Sequence, residues 1–141
     1  MRPRVVLDTN VVLDLLLFAD PACAALHGKL SCGHLDWIAT PSMRAELVRI
    51  ARPELCARWR ARPEQVIATF DRRCRLVLEP ERSGAASNRC TDPTDQVFID
   101  LALAAHARWL LSRDHAILKV GRRLGRTASM PRICTPQAWQ P

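Results

Sequence analysis

Arg4-Val5-Val6-Leu7-Asp8-Thr9-Asn10 is the stretch on which the reading of this chain turns. A short, unbroken apolar run is the pattern of a strand buried on both faces, as in parallel sheets covered by helices. Asp8 ends the run, and residues 10–18, dense in Val and Leu, follow as a mostly buried helix. A second run, Trp109-Leu110-Leu111, ends in Ser112-Arg113-Asp114 and leads into another short helix over 115–123. In parallel α/β sheets, ligands bind beyond the carboxyl ends of the strands, so Asp8 and Asp114 should project into one crevice.

The chain between these anchors alternates in the same way. Residues 21–30 are helical by the spacing of Ala22, Ala25 and Leu26, and Gly33 stops them. Residues 37–39 form a short strand candidate. Thr40-Pro41 reads as a helix start, with Thr as cap and Pro in the first turn. Met43, Leu47 and Ile50 then make an apolar stripe bordered by Glu46, and Pro53 is expected to end the helix. A more polar helical region over 54–73 carries Trp59, Val66, Ile67 and Phe70. A strand is expected at 75–78, and the clearest loop at 79–90, with Pro80, Ser83, Gly84 and Ser87. Asp92-Pro93-Thr94-Asp95 opens a helix to about residue 107, and Ile133-Cys134 adds a last edge strand. Strands alternating with helices imply one α/β domain over 1–141, a three-layer α/β/α sandwich around a mostly parallel sheet.

Composition narrows the function. At 141 residues, 48% hydrophobic and 25% charged, the chain fits one soluble globular domain. Its formal charge of +7 contrasts with a proposed site made of acids, so surface and crevice have different tasks: one attracts a polyanion, the other holds a cation. The six cysteines form no Cys-x-x-Cys pair and read as small buried hydrophobes rather than zinc ligands. Asp8, Asp14 and Asp20 interrupt the apolar stretch 5–26, which is therefore neither a signal peptide nor a membrane span, and a cytoplasmic location is the expectation. The chain has no Tyr, three Phe and four Trp, which does not support a base-stacking platform, and Trp109 reads as core.

Each acid also has a local structural use. Asp8, Asp92 and Asp114 suit helix N-caps, Asp95 suits the third position of a helix, and Glu46 could pair with Arg44 or Arg49. Set together, they describe something more. Carboxylates converging without basic partners repel one another, and a hard divalent cation with a preference for oxygen ligands relieves that repulsion.

In order and context, these acids resemble the PIN-domain family of ribonucleases, especially its bacterial branch of toxin components of toxin–antitoxin pairs. The resemblance runs from Val5 to about Pro136. It rests on Asp8-Thr9-Asn10 after a strand, Ser42 and Glu46 on a helix, Asp92-Pro93-Thr94-Asp95-Gln96-Val97-Phe98, and Ser112-Arg113-Asp114 after a second strand. It implies metal-dependent hydrolysis of RNA phosphodiesters with Mg²⁺ or Mn²⁺. Asp8, Asp95 and Asp114 would be ligands and Glu46 would complete the set, directly or through water. It also implies an RNA substrate, a small antitoxin protein as partner, and leaves a homodimer open. Asn10, Ser112 and Asp92 would support the ligands or touch a phosphate. Arg113, Lys119, Arg122, Arg123 and Arg126 could hold flanking phosphates, a solvated helix face being the alternative. Many relatives carry an acid where this chain has Gln96. That departure is the one support for a second reading, a catalytically impaired PIN-fold module that binds RNA or an antitoxin. Asp100, around the helix from Asp95, is expected to face solvent. A haloacid-dehalogenase-like reading of the first strand fails, because Asn10 stands where its second Asp is needed and no Lys lies between Lys29 and Lys119.

Overall fold

Val5 and Val6 have no exposed surface, which requires a strand with neighbours on both edges and layers on both faces. A computed structural model describes residues 1–82 and 84–141, Ser87 through its backbone alone; Ser83 of the expected loop thus lies outside the described residues. In it, β1 (Arg4–Leu7) is the middle of a five-stranded sheet. β2 (Asp36–Ala39) flanks it on one side and β4 (Trp109–Leu111) on the other. β3 (Arg75–Leu76) lies outside β2, and β5 (Arg132–Cys134) outside β4. The order is β3-β2-β1-β4-β5, and every pairing is parallel. Leu7 is in register with Leu111, so the residues that follow them, Asp8 and Ser112, start level with each other at the sheet's carboxyl edge.

Parallel neighbours need crossovers, and right-handed ones assign the helices to faces. The chain steps from β1 outward to β2 and β3, which places α1 (Thr9–Leu16), α2 (Ala24–Ser31), α3 (Pro41–Ile50), α4 (Pro53–Ala57) and α5 (Pro63–Arg73) on one face. α1, α3 and α5 pack on one another. It then returns across the sheet and steps the other way, which puts α6 (Gln96–Ala104) and α7 (His115–Leu124) on the opposite face, against β1, β4 and β5. The result is the expected three-layer α/β/α sandwich. Its core joins Trp37 edge-on to Phe70 at 5.2 Å and Trp109 edge-on to Trp139 at 5.4 Å.

Some local expectations change. Residues 54–73 are two helices, because Arg60 takes a left-handed φ of 54° and Pro63 restarts the helix at its first position. Pro53 starts α4 instead of ending α3, which has already closed at Ile50. The third strand is only Arg75–Leu76, an exposed edge with Leu78 left in solvent. Asp100 is buried, not solvent-facing: it accepts a 2.9 Å hydrogen bond from Gln96 Nε2, one turn earlier on α6. Cys32 is exposed and Cys134 half-buried, whereas the other four cysteines are buried; all six are free thiols. Among the described residues, no single helix is long and apolar enough to cross a membrane.

Candidate active site

The chain reverses its direction of travel across the sheet between β1 and β4, and a crevice opens at such a switch point. Asp8 and Asp114 stand at its two sides. Each is the N-cap of the helix that follows: Asp8 Oδ1 accepts from Val11 N at 2.9 Å, and Asp114 Oδ1 accepts from Ala116 N at 2.8 Å and Ile117 N at 3.3 Å. The capping and site readings are therefore compatible, since a helix N-terminus favours a negative charge placed on it. Ser112 links the two acids. Its fully buried hydroxyl donates to Asp8 Oδ2 and accepts from Asp114 N at 2.9 Å. Burial pushes the Asp8 carboxyl above its ordinary range, against the pull of the hydrogen bonds from Ser112 and Val11.

A cavity of about 420 Å³ opens over these groups, lined also by Thr9, Asn10, Ser42, Glu46, Arg49, Thr94 and Asp95, with Met43, Ile50, Val97 and Phe98 as apolar wall. α3 delivers Glu46 from the far side. It is half-buried, bordering the face that Met43 and Leu47 bury, and Arg49 grips both its oxygens at 2.7 and 3.0 Å. Asp95 ends the 3₁₀ turn Pro93–Asp95 and enters α6 without capping it. Its Oδ2 is buried and has no hydrogen-bond partner. Burial and the carboxylates of Asp114, Asp92 and Asp8 push Asp95 up to about 6, and a proton on it can be shared with Asp114.

Asp8, Asn10, Glu46, Asp95 and Asp114, all expected at the site, thus line one cavity, with Ser112 directly behind it. Other candidates lie elsewhere. Asp92 is exposed and caps the next turn through Thr94 N and Thr94 Oγ1. Arg113 does not present a free guanidinium for a phosphate: Asp14 at 3.1 Å and Asp20 at 3.0 Å hold it against α1 and the turn after it. Arg123 donates to Arg89 O, while Lys119, Arg122 and Arg126 are exposed on or just beyond α7, outside the cavity lining. Gln96 also lies outside that lining. It accepts from Cys90 N at 2.6 Å and donates to Asn88 O and Asp100, fastening the preceding loop onto α6. Thr9, Thr94 and Arg49 were not picked out as site residues; the signal for each was its place beside or one helical turn from an acid.

Among the described residues, no three His, Cys, Asp or Glu side chains form a ready-made chelate. The donor chemistry nonetheless fits a hard divalent cation: all the candidate donors are carboxylate oxygens, and one of them is buried and unsatisfied.

An all-parallel α/β sheet with acids gathered at its switch point defines the class, an α/β protein whose candidate ligand site lies at the carboxyl edge of its strands. More narrowly, the chain belongs to the PIN-domain family: the family model of the PIN domain matches residues 4–116, which include all four acids of the cavity. PIN domains are generally nucleases, and those nucleases typically use divalent metals. No curated protein matches the chain.

Proposed function

We propose that this cavity hydrolyses RNA phosphodiester bonds with a bound Mg²⁺ or Mn²⁺ ion. The observation that carries the reading is the buried, unpartnered Oδ2 of Asp95, in a cavity that Asp8, Asp114 and Glu46 also line. Asp8, Asp95 and Asp114 would hold the ion, and Glu46 would complete the set. When bound, such an ion polarises a phosphoryl oxygen and lowers the pKa of an attacking water. The chain's own residues do the rest. Ser112 fixes the orientations of Asp8 and Asp114, Glu46 stands across the cavity to orient water and accept its proton, and Thr9 and Asn10 present hydrogen-bond donors at the entrance to α1.

The reading extends to biology: an endoribonuclease toxin acting in the cytoplasm and neutralised by a small antitoxin protein. A basic side chain inserted among the acids would satisfy them and compete with the metal. A catalytically impaired module is the weaker alternative, because Gln96 lies outside the cavity lining and holds the loop. Purified protein should cleave RNA with Mg²⁺ or Mn²⁺, stop on chelation, and lose activity by orders of magnitude as Asp8→Asn or Asp95→Asn. Cleavage that persists in both variants would assign the activity to another site. Expression of the chain alone should slow growth, and co-expression with an adjacent small gene should relieve it. A harmless chain that still cleaves RNA would favour RNA processing.

A further inference from the structure

Arg49 is the one cation among the described residues that line the acidic cavity. Two other arginines, next in sequence to the lining residues Met43 and Asp114, are engaged elsewhere: Arg44 forks onto Asp71 at 2.7 and 2.8 Å, and Arg113 is held by Asp14 and Asp20. Arg49 uses Nε and one N–H of Nη2 to cover both oxygens of Glu46, which leaves Nη1 and the second N–H of Nη2 without a role in that pair. Its side chain is 71% exposed and that of Glu46 40%, so the pair is weak and cheap to exchange for another anion. A phosphodiester offers the same two-oxygen geometry as a carboxylate to a guanidinium fork.

We propose that Arg49 is a phosphate-binding latch: it covers Glu46 in the free protein and transfers to a backbone phosphate of the entering strand, which uncovers Glu46. The inference rests on the nuclease reading and adds the residue that couples substrate entry to exposure of the fourth acid. Without nucleic acid, Arg49 neutralises Glu46 and repels a cation, so the resting site is a poorer cation binder than its acids alone would make it. With nucleic acid, one positive charge moves onto the strand and one negative charge is released to the cavity.

The test compares wild type with Arg49→Gln, Arg49→Lys and Arg44→Gln, each checked by thermal unfolding. Free Mn²⁺ is counted by its paramagnetic resonance without RNA, and binding of a fluorescent single-stranded RNA is followed in EDTA across a salt series. Arg49→Gln should bind Mn²⁺ about fivefold more tightly, because an exposed ion pair of this kind opposes release of Glu46 by about that factor. The same variant should bind RNA about fivefold more weakly, with a slope of log affinity against log salt shallower by about 0.7, the value of one single-strand phosphate contact. Arg49→Lys should keep the wild-type slope. Arg44→Gln removes the same charge outside the cavity and should leave Mn²⁺ affinity within about twofold of wild type. If wild type binds neither Mn²⁺ nor RNA, the nuclease reading falls and the latch with it. If wild type binds both, an unchanged slope or unraised Mn²⁺ affinity in Arg49→Gln overturns the latch alone, and an equal gain in Arg44→Gln reduces it to a general charge effect.

Discussion

Replacing Asp95 with Asn isolates the electrostatic cost of the acid cluster. The carboxyl titrates near 6 in the folded protein against an ordinary value of 3.8, with burial the largest cause and Asp114 the next. The folded state therefore holds this proton over a range where the unfolded chain has released it, so stability falls as pH rises from about 4 to about 6. Below that window the cost is absent, and above it the cost is complete. At about 1.4 kcal/mol per pH unit the ceiling is about 3 kcal/mol, and solvent screening of this half-buried group reduces it to about 1–1.5 kcal/mol. Asn removes the charge, and no cap is lost, because Asp95 makes no side-chain cap hydrogen bond to α6. With an unfolding entropy of about 0.3 kcal/mol per kelvin for 141 residues, Asp95→Asn should melt about 3–5 °C higher than wild type at pH 7.5 in EDTA. At pH 4 the two should melt together. Mg²⁺ at pH 7.5 should raise wild type more than the variant, since only wild type presents the full set of acids. An unchanged or lowered melting temperature at pH 7.5, or the same difference at both pH values, would refute the argument that Asp95 is held in unrelieved repulsion.

Ser112→Ala should behave in the opposite way, destabilising the protein by about 2–3 kcal/mol in urea titrations, because it strips a hydrogen bond from a carboxylate only 3% exposed and leaves Asp114 N without its acceptor. Loss of activity without loss of stability would contradict that account. Gly121→Ala should lower the melting point despite alanine's better helix propensity: its Cβ would come within 2.6 Å of Ile133 Cβ, an overpacking of about 1–3 kcal/mol between α7 and β5. Arg113→Ala should cost about 1–2 kcal/mol by leaving Asp14 and Asp20 unpaired, while the salt dependence of RNA binding stays as in wild type; a shallower slope would return Arg113 to the phosphate contacts.

Most of the architecture was legible before any coordinates because it is written in local patterns. Apolar runs ending at Asp8 and at Ser112-Arg113-Asp114 announce buried strands, and Thr40-Pro41 and Asp92-Pro93 announce helix starts; all of these appear as expected. The same local reading named the four acids and their near partners, the caps of Asp8 and Asp114 and the pairing of Glu46 with Arg49, but not the contacts that join them across the chain. Where it failed, the deciding contact was remote or the competing signals were balanced. Asp100 reads as solvent-facing because a carboxylate is ordinarily left in water; a local partner, Gln96 one turn earlier, bonds it, and only the packing of α6 in the assembled fold buries it. Arg113 reads as a free cation because Asp14 and Asp20 lie 99 and 93 residues earlier in the chain. Arg60 looks like any polar helix residue until its backbone turns left-handed.

By itself, then, the sequence determined which segments must be buried, which residues start and stop them, and the order of the acids along the chain, since periodicity and capping act over a few residues. Tertiary structure alone decided that β4 lies beside β1, so that one buried serine spans Asp8 and Asp114, that Asp14 and Asp20 hold Arg113, and that Asp95 meets Asp8 and Asp114 while keeping an unpartnered oxygen. Those outcomes depend on strand order and on which side chains meet across large separations in sequence, and the energy that selects among them appears only when the layers pack and water leaves.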